Sequence, residues 1–188
     1  MIVREPYAWA VDPYLFDDEL TERECTSVGV IVHTGRLERG CRPDFLLLEQ
    51  LDVEGHPWGI PAGRTEVYEK HPYETAVREV FEETGMSIDT SQMEEFLRGR
   101  KKDKTKIVYS YRIPSIEIVS SLENWSYERG TWVTKNQKHS DEIGRMAFVS
   151  DDMLFEIGHP FIRGYYRWDV MHDIKAKLLG LRAISVFD

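Results

Sequence analysis

Residues 27–34 (SVGVIVHT) and 106–113 (KIVYSYRI) are β-branched, strand-like runs, and between them lies a stretch whose apolar positions recur with helical spacing, residues 72–84. That change of period, from two to roughly 3.6, is the strongest constraint on the fold, because it excludes both an all-β and an all-α chain. The helical stretch is punctuated at both ends. Pro72 suits a first-turn position, and Gly85 suits the residue just past the helix end. Residues 44–51 (DFLLLEQL) read as a further strand, 116–119 as a strand segment and 146–149 as a short strand. Ser150, Asp151 and Asp152 read as an N-cap cluster, and a late helix is expected from about Arg163 to Leu179, ending near Gly180. Strands, an early helix, more strands and a late helix indicate an α/β (α+β) domain. At 188 residues the chain is long enough for one such domain with a full core. Residues 1–26 are expected to form an N-terminal arm and 27–188 a single domain.

At about 100° per residue, Val77, Val80, Phe81 and Thr84 fall on one side of this helix and Glu79, Glu82 and Glu83 on the other. The first set is expected to pack on the sheet, leaving the carboxylates to project together. Such a cluster costs stability: like charges three or four residues apart cost about 0.2–0.5 kcal/mol per pair. Glu82 and Glu83 also sit at the negative end of the helix dipole, which disfavours anions by about 0.3–1 kcal/mol each. Arg78 can pair with Glu82, but one arginine does not neutralise three carboxylates. A divalent cation does. The plain alternative is a solvated, glutamate-rich helix face.

The whole segment, residues 63–86, resembles the Nudix box, G-x5-E-x7-R-E-U-x-E-E-x-G-U with U apolar. The matching positions are Gly63, Glu69, Arg78, Glu79, Val80, Glu82, Glu83, Gly85 and Met86, with WGIPAG immediately upstream. One departure is that eight residues, not seven, separate Glu69 from Arg78. The extra residue falls in the loop before the helix and leaves the carboxylate spacing intact.

The resemblance implies an α/β/α sandwich with a mixed central sheet, and hydrolysis of the pyrophosphate bond of a nucleoside diphosphate linked to another moiety. By the same resemblance Glu79, Glu82 and Glu83, with a backbone carbonyl at Ala62 or Gly63, would hold Mg²⁺ or Mn²⁺, and Arg78 would orient the glutamates. The general base is either a box glutamate, Glu82 or Glu83, or a carboxylate from the loop HSDEIGRMAFV, with Glu142 first and Asp141 second. Trp58 and Arg64 are the substrate-side candidates. Expected substrates are nucleoside diphosphate-sugars or (deoxy)nucleoside triphosphates. A non-catalytic nucleotide-binding module is the alternative, although such modules typically lose box carboxylates that this chain keeps. A homodimer is a family-level expectation.

Charge narrows the partners. The chain carries 24 basic and 33 acidic residues, a net charge of −9, which argues against nucleic acid and anionic membranes as partners. The dense basic run RGRKKDKTK, residues 98–106, reads as a solvated hairpin. Cys25 and Cys41 are too few for a disulfide framework, and the first 20 residues lack signal-peptide character. A cytoplasmic protein with reduced thiols is the expectation. Trp125, Tyr127 and Trp132 are expected in a loop preceding Glu142.

Overall fold

The residues of SVGVIVH are buried almost without interruption, the pattern of a strand covered on both faces rather than of a half-exposed one. This strand organises the fold. In the computed structural model, residues 15–16, 21–35, 43–52, 58–101, 104–113, 125–128, 131–134 and 140–150 are described. They form β1 (Leu15–Phe16), β2 (Ser27–His33), β3 (Asp44–Gln50), β4 (Trp58–Gly59) and β5 (Ala62–Arg64), followed by the helix α1 (Pro72–Thr84). Then come β6 (Met93–Lys101), β7 (Lys104–Arg112), β8 (Trp125–Glu128), β9 (Thr131–Thr134) and β10 (Ile143–Ser150).

All the strands join one sheet in the order β1-β6-β7-β2-β3-β10-β9-β8, with β4 added to β3 and β5 to β2. The β2–β7 pair is parallel, from Ser27 opposite Lys106 to His33 opposite Arg112, and the flanking β6–β7 and β2–β3 pairs are antiparallel. The sheet is therefore mixed, as expected. Val28, Val30 and Val32 of β2, Leu46 and Leu48 of β3, Ile107 and Tyr109 of β7, and Met146 and Phe148 of β10 form one core face, on which Ala76 and Val80 of α1 sit. Their alternates, among them Ile31, Leu47, Val108 and Ala147, are equally buried. The expected late helix, Asp151 and Asp152 of the expected cap, the strand segment at 116–119, Cys41 and most of the N-terminal arm lie outside the described residues, while Ser150 ends β10 opposite Asp44. From that arm, β1 pairs Leu15 with Arg100 and Phe16 with Gly99 at the β6 edge.

Two expectations are corrected. Trp125, Tyr127 and Trp132 belong to the β8–β9 hairpin rather than to a loop. The buried face of α1 comprises Pro72, Thr75, Ala76, Val80, Glu83 and Thr84, rotated by about a quarter turn from the expected one. Phe81 is consequently exposed, and Glu83 is tucked under the helix instead of projecting from it. The reason is compensation: small side chains such as Ala76 let α1 approach the sheet closely, and backbone and arginine donors satisfy the carboxylates drawn inward.

The ends of α1 match the local chemistry. His71 is its N-cap residue and Pro72 opens the first turn. Gly85 adopts φ 71°, a left-handed conformation that favours glycine, and its N–H donates to the Phe81 carbonyl.

Candidate functional site

The short strand β5 delivers residues 62–64 to the flank of α1, and the two elements are matched atom by atom. The Ala62 N–H donates to Glu83 Oε2 at 3.0 Å, which explains how a glutamate only 7% exposed is tolerated. Gly63 faces Glu79: a β-carbon built on it would stand 1.9 Å from Glu79 Oε1. The Arg64 carbonyl accepts from Arg78 Nη2 at 2.8 Å.

Arg78 is the hub. Its Nε donates to Glu69 Oε1 at 2.8 Å, and its Nη1 donates to Glu79 Oε1 at 2.6 Å and to Glu82 Oε2 at 3.0 Å. Glu69 is itself fixed, accepting from the Thr75 hydroxyl and the Glu66 N–H, both at 2.7 Å. Burial pushes the Glu69 carboxyl upward, but Arg78, the Glu66 N–H and Thr75 together hold it below the usual carboxylate range. Glu79 goes the other way. Its burial, joined by the charges of Glu82 and Glu69, outweighs Arg78 and raises its pKa. The extra residue between Glu69 and Arg78 therefore leaves their contact intact.

Across from the helix, the turn before β10 brings a second set of oxygens. Glu79, Phe81, Glu82, Glu83, Ser140, Asp141 and Glu142 line one open cleft of about 470 Å³. The Leu51 N–H donates to the Glu142 carbonyl at 2.7 Å and Ser140 Oγ accepts from the Ile143 N–H at 3.2 Å, which fixes this turn. Just beyond it the β10–β3 register shifts between Ile143 and Met146, an irregularity of the kind that re-aims side chains beside a site.

The sequence matches the NUDIX domain family over residues 24–164, which is most of the chain. It belongs to the Nudix family. Solved structures share the fold. A variant of the Bacillus subtilis pyrophosphohydrolase BsRppH aligns at 20% identity and TM-score 0.52, covering 89% of each chain. A MutT protein, from a comparison of those of Aliivibrio salmonicida and Vibrio cholerae, aligns at 14% identity and TM-score 0.51, covering 81% of this chain and 97% of that one. The NUDIX domain of Shewanella oneidensis NrtR, complexed with ADP ribose, aligns at 12% identity and TM-score 0.50, covering 87% of this chain and 94% of that one.

In this Nudix domain the site candidates divide into two groups. Glu79, Glu82, Glu83, Asp141 and Glu142 meet at the cleft, with Gly63 and Arg78 behind the first of them. Trp58 lies apart from the cleft lining. It is 5% exposed and lies under the Arg145 guanidinium, 5.7 Å from its ring centroid. Arg64 is exposed and contributes its carbonyl to Arg78. Sequence reasoning missed the Ala62 N–H, Ser140 and the exposed ring of Phe81. Of these, only Phe81 carried a visible signal, as the one aromatic residue between two box carboxylate positions.

The donor set suits a hard cation. Five carboxylates line the cleft, and among the described residues its lining includes no lysine or arginine. Among the described residues no three acidic, histidine or cysteine groups form a ready-made cage; Arg78 holds Glu79 and Glu82, and the Ala62 N–H holds one oxygen of Glu83. Glu82, with a side chain 55% exposed, is the most adjustable of the three. No helix among the described residues is long and apolar enough to cross a membrane.

Proposed function

We propose that this Nudix domain is a divalent-metal-dependent pyrophosphohydrolase that cleaves a diphosphate linkage in a nucleotide by attack of water on phosphorus. The observation that carries this reading is the cleft itself, where Glu79, Glu82 and Glu83 of the box face Asp141 and Glu142. Glu79, Glu82 and Glu83 are the residues that would hold Mg²⁺ or Mn²⁺, with a carbonyl at Ala62 or Gly63. When bound, the metal supplies screening of the diphosphate charge and a lowered pKa for water.

The chain's own groups supply the rest. Arg78, anchored by Glu69, orients Glu79 and Glu82, and the Ala62 N–H orients Glu83, so their oxygens are in place before substrate arrives. Gly63 leaves the space that the Glu79 carboxylate needs. Glu142, across the cleft, accepts the proton of the attacking water as general base. First-ranked substrates are nucleoside diphosphate-sugars and (deoxy)nucleoside triphosphates. RNA 5′ ends rank behind them, because a chain of net charge −9 has to overcome long-range repulsion to hold a polyanion.

The test is phosphate release from nucleoside triphosphates, nucleoside diphosphate-sugars, dinucleoside polyphosphates and triphosphorylated RNA, with Mg²⁺ and with chelator. Turnover of one class that chelator abolishes supports the reading. Inertness towards the whole panel rejects it in favour of a nucleotide-binding module.

A further inference from the structure

Phe81 is a large apolar residue of α1 that is turned away from the core. It is 55% exposed, although its neighbour Val80 is fully buried. Ala76, Val80, Glu83 and Thr84 are among the residues that occupy the buried face of α1 in its place. Phe81 lines the cleft, whose other lining residues are carboxylates and the Ser140 hydroxyl. The remaining exposed large apolar residues among those described, Val67, Tyr68 and Tyr73, belong to the preceding loop and the first turn, away from that lining. The cleft thus combines charged oxygens with one neutral aromatic face. Carboxylates accept hydrogen bonds but present no stacking surface to a planar ring system, whereas a phenyl ring does.

We propose that Phe81 is a specificity-determining residue that receives the nucleobase of the substrate by stacking, so that the cleft favours nucleotides over base-free sugar phosphates. The inference rests on the pyrophosphohydrolase reading and names the part of the substrate that the cleft recognises. Stacking on a phenyl ring tolerates any base, since every base presents a π-face. Phe81 therefore selects nucleotides as a class and leaves base identity unread.

AMP and ribose 5-phosphate carry the same phosphate and sugar and differ by the base, so their dissociation constants isolate its contribution. They are measured by calorimetry in Mg²⁺ for the wild type, Phe81→Ala and Phe81→Trp, with a thermal melt confirming that each variant is folded. The wild type is expected to bind AMP about ten-fold more tightly than ribose 5-phosphate. Phe81→Ala removes that advantage while ribose 5-phosphate binding stays within about two-fold of wild type, and Phe81→Trp restores it. An AMP advantage that survives in Phe81→Ala, or is missing in the wild type, overturns the proposal. Failure of the hydrolase reading looks different: the nucleotide panel gives no phosphate, yet the AMP advantage and its loss in Phe81→Ala persist.

Discussion

Gly63 and Glu79 occupy the same small volume: a β-carbon on Gly63 would stand 1.9 Å from Glu79 Oε1 and 2.0 Å from its carboxyl carbon. A carboxylate usually swings away from such a clash cheaply, but Arg78 Nη1 holds this one at 2.6 Å. The glycine is therefore required by close approach. Gly63→Ala is expected to displace Glu79 and cost about 1–3 kcal/mol of stability, the usual range for overpacking. It should also lower metal-dependent turnover by at least about ten-fold through the misplaced ligand. Denaturant unfolding and initial rates check both parts, and unchanged values in both exclude the packing argument.

Arg78→Lys tests the hub. A lysine ammonium is a point charge and cannot span Glu69, Glu79, Glu82 and the Arg64 carbonyl in one fork. The variant is expected to lose about 2 kcal/mol, because the Glu69 side chain, only 3% exposed, keeps its charge without an equivalent partner. Thermal melts at neutral pH read this directly.

Glu142→Gln and Asp141→Asn separate the two carboxylates across the cleft. With Glu142 as general base, Glu142→Gln is expected to lower kcat by about 10²–10⁴ with little change in KM. Asp141→Asn is expected to retain most of kcat. The opposite ranking assigns the base to Asp141, and full activity in both returns the role to a box glutamate.

Much of this was legible in the sequence. Pro72 and Gly85 marked the helix because a proline-set φ and a left-handed glycine are local requirements that packing does not override. The apolar runs gave β2, β3, β7 and β10, each to within a few residues. β6 was hidden because Met93–Lys101 is rich in charge, and β8 and β9 because four-residue strands show too little alternation. The face of α1 was misread because the wheel weighs hydrophobicity alone. Phe81 lost its place to Ala76, and Glu83 gained one through the Ala62 N–H, a partner that the sequence does not display.

His33 gives a pH signature away from the cleft. Its side chain is buried with Nδ1 unpartnered. Burial first, then the nearby Arg112 charge, lower its pKa from 6.5 to about 4 despite contact with the Gly35 backbone. The unfolded chain thus binds more protons than the folded one between these values, so stability is present in full above pH 6.5 and is lost as pH falls towards 4 and below. The contribution is on the order of 3 kcal/mol. Urea unfolding across that window is expected to show a steeper acid loss for wild type than for His33→Leu. Parallel curves contradict a buried neutral histidine.

The central claim is that the box carboxylates act on a bound diphosphate rather than support the fold. Glu82 tests it most directly, since its side chain is 55% exposed and Glu82→Gln preserves its shape. The measurement is the initial rate of phosphate release in Mg²⁺ on the best substrate of the panel, beside a metal-free melt of the same preparations. The account predicts a rate at least about 100-fold below wild type with an essentially unchanged melting temperature. A rate within about two-fold of wild type would contradict it.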